Sequence, residues 1–267
     1  MKLTMLGTGN AAVTECYNTC FVIEDKPKSY LLVDGGGGNG LLRQLKHAGI
    51  NWMDIRQIFV THKHLDHIMG IMWLVRFMCQ LMDHGRYKGE ADIYGHEDVI
   101  HAIRTIATEL LLPREAAFLD ERIHLNVVRD GKTKVINGHA VTFFDIGSTK
   151  ERQFGFSMDM GEGRRLVCCG DEPCHPCEEG YVRDCEWLLH EAFCLYSEAD
   201  IFKPYEKHHS TVKDACELAE RLGVKNLLLY HTEDKNICDR KRLYTEEGRK
   251  YFKGGLYVPE DLEAIEL

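Results

Sequence analysis

Apolar residues along the 267-residue chain fall into short runs. MKLTMLG (1–7), SYLLVD (29–34), RQIFVTH (56–62), RLVCCGD (165–171), CEWLLHE (185–191) and NLLLYH (226–231) each have the length and composition of a buried strand. Between them the period becomes helical, most clearly in TVKDACELAERLG (211–223). There Val212, Ala215, Cys216, Ala219 and Leu222 share one face, Ser210 or Thr211 can cap the start, and Gly223 ends the pattern. The most apolar stretch, IMGIMWLVRFMCQLM (68–82), carries Arg76 and Gln80 and is too short and too polar for a bilayer span. It predicts a buried helix, with a contact surface for a partner or apolar substrate as the alternative. No low-complexity linker or short-period repeat breaks the alternation, which predicts one α/β domain over 1–267.

Four of the strand runs end alike. IFV leads into Thr61-His62, LVCCG into Asp171, WLLH into Glu191 and LLLY into His231. In open α/β sheets, sites gather at the carboxyl ends of strands, so these endings predict one shared site.

Charge narrows the function classes. With 33 Lys and Arg against 42 Asp and Glu, the formal net charge is −9, the wrong sign for gripping nucleic acid by bulk electrostatics. The basic residues near the C-terminus (Lys235, Arg240, Lys241, Arg242, Arg249, Lys250 and Lys253) are interleaved with acids and predict a solvated helix face. MKLTMLGTGNAAV has no secretory pattern, and eleven cysteines without an export signal point to thiols in a reducing cytoplasm. No membrane association is expected.

His62, His64, Asp66 and His67 form H-x-H-x-D-H just past a strand. A loop there lets imidazoles and a carboxylate converge, a donor set suited to Zn²⁺, with Mn²⁺ or Fe²⁺ where oxygen donors are richer. With this cluster, the later Gly170-Asp171 and the strand-end His231, the chain resembles the metallo-β-lactamase fold, and more narrowly its ribonuclease Z-like branch. LGTGNAAV, LLVDGGGGNGLLRQL, LLHEAF and HSTVKDACELAERLGVKNLLLYH each resemble segments of that branch, so the likeness covers nearly the whole chain. It implies a four-layer αββα sandwich and metal-dependent hydrolysis. It also implies two metal positions: His62 and His64 at the first, Asp66, His67 and His231 at the second, and Asp171 bridging them. Two cations about 3.5–4 Å apart hold a hydroxide at neutral pH and stabilise both oxygens of a phosphoryl displacement. His64 stands where the flavodiiron relatives carry a carboxylate, which favours hydrolysis over oxygen or nitric oxide reduction.

Asp66 is expected to be a catalytic residue as well as a ligand. His209 lies just before a helix start, where the dipole is expected to lower its pKa and suit it to protonating a leaving alkoxide. The resemblance pairs it with Glu191; His208 is the neighbouring alternative. The run Asp34-Gly35-Gly36-Gly37-Gly38-Asn39-Gly40 lacks the Lys-Ser/Thr of a P-loop, and is read as a tight turn with Asp34 supporting the metal loop.

The chain departs from the resemblance twice. A further strand-end histidine is expected at the first metal position, and Ser148 stands there. His139, nine residues earlier, lies about 30 Å away along an extended strand. The tRNA-processing enzymes also carry a long arm before the Gly-Asp, whereas here only 22 residues separate Ser148 from Asp171, enough for a strand, a turn and a strand. That disfavours tRNA. Cys168, Cys169, Cys174, His175 and Cys177 surround Asp171, and Cys174-x-x-Cys177 has the spacing of half a zinc knuckle. With no second C-x-x-C, these are read as thiols rather than as a structural zinc or a redox pair.

The reading is a zinc-dependent phosphodiesterase with up to two ions, acting on a small or nucleotide-like phosphodiester through metal-bound hydroxide. Hydrolysis of another ester, thioester or lactone is the alternative, and a non-enzymatic metal- or redox-responsive binding protein is the competing class. The sequence leaves a homodimer open.

Overall fold

The alternating strands and helices build two seven-stranded sheets in the computed structural model, which describes all 267 residues. Two compact units carry them. The first comprises Met1–Gly7, Tyr17–Val128 and Leu262–Leu267; the second comprises Thr8–Cys16 and Arg129–Asp261.

In the first unit, β1 (Lys2–Gly7), β2 (Cys20–Glu24), β3 (Tyr30–Val33), β4 (Ile55–Phe59), β5 (Ala91–Gly95), β6 (Ile123–Val127) and β14 (Ala264–Glu266) form a sheet in the order β14-β1-β2-β3-β4-β5-β6. Pairing is antiparallel from β14 to β3 and parallel from β3 to β6. Parallel neighbours need crossovers, supplied by α1 (Gly40–His47), α2 (Leu65–Asp83) and α3 (Glu97–Leu110), with short α4 (Pro113–Ala116) following. Helix α2 contains the apolar 68–82 stretch. While Met69, Trp73, Arg76 and Phe77 are half-buried, Ile68, Ile71, Leu74, Val75, Met78 and Met82 are buried in this unit's core, as a buried helix requires. Each such side chain contributes about 1.5–3 kcal/mol on burial.

The second unit repeats the plan. Its strands β7 (Lys132–Ile136), β8 (His139–Asp145), β9 (Phe154–Gly161), β10 (Arg164–Cys168), β11 (Trp187–Glu191), β12 (Asn226–Tyr230) and β13 (Gly255–Tyr257) run in the order β13-β12-β11-β10-β9-β8-β7. β7 to β10 are antiparallel; β10 to β13 are parallel. Short helices α5 (Glu179–Val182) and α6 (Ala199–Phe202) precede α7 (Val212–Arg221) and α8 (Arg240–Gly248). Thr211 caps α7, its hydroxyl accepting from the Asp214 amide while the Asp214 carboxylate accepts from the Thr211 amide. The segment between Ser148 and Asp171 is the strand, turn and strand that its length allows: β9 and β10 meet at Glu162-Gly163, both at positive φ (+55° and +72°).

One expectation fails in α8. Arg240, read as part of a solvated face, is buried, and its guanidinium donates to the hydroxyls of Thr232 (2.7 Å) and Thr8 (2.9 Å) and to the Pro259 carbonyl (3.1 Å). A guanidinium buried with several acceptors serves packing rather than charge display. Arg242, exposed between Asp239 and Glu246, behaves as expected.

Candidate metal centre

In the first unit the donors hang on one buried carboxylate. Asp34 follows β3 at φ +57°, a left-handed conformation its short polar side chain tolerates. Its Oδ1 accepts the Thr61 amide (2.8 Å), and its Oδ2 accepts the Thr61 hydroxyl (2.8 Å) and lies 2.7 Å from His67 Nδ1. Because the Thr61 proton goes to Asp34, the Thr61 oxygen is left to accept from His62 Nδ1, 3.0 Å away. Hydrogen-bond logic thus protonates Nδ1 of both His62 and His67 and leaves each Nε2 with its lone pair. His62 Nε2 faces His64 Nδ1 at 2.8 Å, and Asp66 Oδ2 stands 3.3 Å from His67 Nε2. The ring centroids of His62 and His67 are 4.1 Å apart, and those of His62 and His64 4.5 Å. Three imidazoles gathered around a carboxylate, two of them with protein-fixed tautomers, fit zinc or a first-row neighbour.

The glycine run makes this possible by close approach. A Cβ on Gly70 of α2 would lie 1.8 Å from the Gly35 carbonyl oxygen, and one on Gly35 would lie 2.5 Å from the Ile71 nitrogen. The Gly35 amide donates to the His67 carbonyl (2.8 Å), and the Gly70 amide to the Gly36 carbonyl (2.9 Å). The run is a tight turn that holds Asp34 against the segment carrying His67. Thr61, in the sequence only a strand ending, takes part through its hydroxyl. A hydroxyl directly before the first histidine was the available signal.

In the second unit Asp171 and His231 each lie past a strand end and each is buried. Asp171 Oδ2 and His231 Nε2 lie 3.6 Å apart. His231 is held at φ +58°, unusual for a histidine and of the kind that clusters at functional sites. Its neighbour Tyr230 donates its hydroxyl to the Gly170 carbonyl, tying the strand that ends in His231 to the turn that carries Asp171.

His209 and Glu191 are also brought together here. The buried Glu191 carboxylate accepts the Ser210 amide through Oε1 and presents Oε2 to His209 Nδ1 at 3.6 Å, an ion-pair separation. The His209 ring stacks on Phe193 (4.8 Å between centroids) and lies 5.4 Å from that of His231. His208 is exposed and turns to the Thr149 hydroxyl (3.2 Å), so the buried member of the pair is His209. The expected direction of its pKa is wrong. Burial pulls the His209 imidazole down, but Glu191, with Asp171 adding to it, outweighs burial and raises the value above the ordinary one. The dipole argument fails because α7 begins only at Val212, behind the Thr211 cap, and a helix-end field fades within one turn.

Ser148 does not replace the missing histidine in kind. Its hydroxyl donates to Glu172 Oε1 (2.7 Å), a buried carboxylate also approached by Lys150 Nζ and His175 Nε2, each at 3.7 Å. His139 lies at the start of β8 with Nδ1 on the Asp159 carbonyl (2.9 Å).

Comparison with known proteins identifies the fold and the family. Ribonuclease Z of Pyrococcus abyssi is 26% identical over 318 aligned residues, covering 97% of this chain and 98% of the relative. Among solved structures, the metallo-β-lactamase fold protein YhfI of Bacillus subtilis superposes with a TM-score of 0.78 at 16% identity, over 99% of this chain and 98% of the other. The short form of human tRNase Z gives 0.73 at 21% identity, over 100% and 99%. The fold is the metallo-β-lactamase fold, the protein is a metal-dependent hydrolase, and its sequence is similar to ribonucleases Z. No helix is long and apolar enough to cross a membrane. Within that fold one family model matches residues 1–250, and the chain belongs to the family it describes, that of the Anti-Pycsar protein Apyc1.

Proposed function

We propose that the protein is a phosphodiesterase for small or nucleotide-like phosphodiesters. His62 and His64 would hold one metal, Asp66, His67 and His231 a second, and Asp171 both, with zinc as the expected ion. The observation that carries this reading is the Asp34–Thr61 arrangement, which turns the Nε2 lone pairs of His62 and His67 away from their hydrogen-bonded sides. Bound metal would supply Lewis acidity and a water of lowered pKa. His209, kept protonated by Glu191, donates its proton to the leaving oxygen. Asp66 belongs to both the ligand set and the catalytic set.

The small substrate is supported by the turn at Glu162-Gly163, which leaves no room for an arm between β9 and β10. The Pyrococcus relative is aligned over 318 residues against 267 here, so it carries segments that this chain lacks. A chromogenic phosphodiester and a precursor tRNA, compared by kcat/KM with and without a chelator, test the reading. Chelator-sensitive turnover of the small ester, with tRNA poorly trimmed, is expected. Efficient 3′ trimming of tRNA would overturn the proposal, as would small-ester turnover that survives full metal removal.

A further inference from the structure

Cys169, Cys174 and Glu178 form a second cluster, in the second unit and free of every residue assigned above. One Sγ from each cysteine and one carboxylate oxygen of Glu178 all lie within 4.8 Å of one another. Cys169 is fixed by the sheet, its amide on the Leu189 carbonyl (3.3 Å), directly after β10. The other two are fixed by a reciprocal turn: the His175 amide donates to Glu178 Oε1 (2.7 Å), and the Glu178 amide to the His175 carbonyl (2.9 Å). The Cys174 amide donates to Nε2 of buried His190 (3.1 Å), whose Nδ1 is engaged by the Glu191 carbonyl (2.7 Å).

Glu178 makes the cluster unusual. Cys169 and Glu178 have no solvent exposure; Glu178 Oε1 takes the His175 amide, and Oε2 meets no nitrogen or oxygen donor. A fully buried carboxylate with one oxygen unmatched is costly to keep ionised unless a cation meets it.

We propose that Cys169, Cys174 and Glu178 bind a zinc ion that pins the segment carrying Asp171 and Glu172. Two thiolates and a carboxylate suit this borderline-soft ion, with water as the fourth ligand. Sulfurs bound at about 2.3 Å on a tetrahedral ion stand about 3.8 Å apart, so the groups close in by no more than about 1 Å. Binding releases the protons of both thiols and of the carboxyl to solvent. The anchored segment begins directly after β10 and ends in the 175–178 turn. The ion would therefore fix both ends of the loop on which Asp171 sits.

Cobalt substitution tests this, because none of the histidine and aspartate ligands proposed for the hydrolytic site is a thiol. The cobalt-loaded protein should show a thiolate-to-metal charge-transfer band in the near ultraviolet. Cys169→Ser and Cys174→Ser should each abolish the band and lower metal content by one ion per chain, and Cys177→Ser should keep it. A band absent from the wild type at cobalt saturation overturns the proposal. So does one that survives Cys174→Ser, or one that leaves with Cys177. Should the serine variants not fold, zinc-edge X-ray absorption on the wild type decides: sulfur in the zinc shell supports the site, and a shell of nitrogen and oxygen alone excludes it.

Discussion

Asp34 serves Thr61 and His67 directly and His62 through Thr61, so one change should disturb two imidazoles. Asp34→Asn puts an amide donor where His67 Nδ1–H and the Thr61 hydroxyl need an acceptor, and metal affinity should fall about 10–100-fold. Thr61→Val, which disturbs His62 alone, should cost less. Competition titration against a chromogenic chelator measures both, and equal affinity in wild type and Asp34→Asn would remove Asp34 from the site. His209 gives a second residue-scale expectation. Its raised pKa means that the protonated donor persists to higher pH, so the alkaline limb of kcat should move to lower pH in Glu191→Gln, where the raising charge is gone. His209→Gln should cut kcat by about 10²–10⁴ and His208→Gln by little, and an unmoved limb in Glu191→Gln would break the pairing. The clustered histidines and aspartates and the His209–Glu191 contact were legible in the sequence because metal and acid/base chemistry restricts residue type and spacing. The sign of the His209 shift was not, since it depends on the balance of the Glu191 and Asp171 charges against burial and on a helix that starts only at Val212, and the Ser148–Glu172 contact depends on packing 24 residues apart in the chain.

At the scale of elements, the contact between the glycine turn and α2 positions Asp34 against His67. Gly70→Ala would drive a methyl group into the Gly35 carbonyl, and neither backbone can move without moving a ligand. Overpacking of this kind costs about 1–3 kcal/mol or more, so Tm should fall by several degrees and metal affinity with it. Gly38, in the same run, has open space around its missing Cβ and no positive φ, so Gly38→Ala should stay within about 0.5 kcal/mol. Two thermal melts separate the cases, and equal stability would mean that the close approach is not a constraint. The six strands read from the sequence include five at parallel pairings, where burial on both faces leaves a continuous apolar run. β7 escaped notice because Lys132, Thr133, Lys134 and Val135 are exposed at the sheet edge, where lysines discourage further pairing. β13 and β14 are three residues each, too short for a period to show.

For the whole molecule, net charge and the short β9–β10 turn bear on the same question from different sides. A protein that holds tRNA through 6–10 phosphates loses roughly 10³–10⁵ in affinity between about 50 and 200 mM salt as condensed counterions cease to be released favourably. This chain carries a formal charge of −9, and its C-terminal basic residues are partly spent: Arg240 in the interior, Arg242 on neighbouring acids. For a small anionic phosphodiester the long-range term is repulsive, and salt screens it over a Debye length of about 10 Å. kcat/KM should therefore be flat or rise by less than about threefold over that salt range, opposite in sign to a polyanion-gripping enzyme. Steady-state rates at fixed free metal across a salt series settle the sign. A steep fall for the small ester would require a cationic track that these charges do not provide, and the small-substrate reading would fail with it.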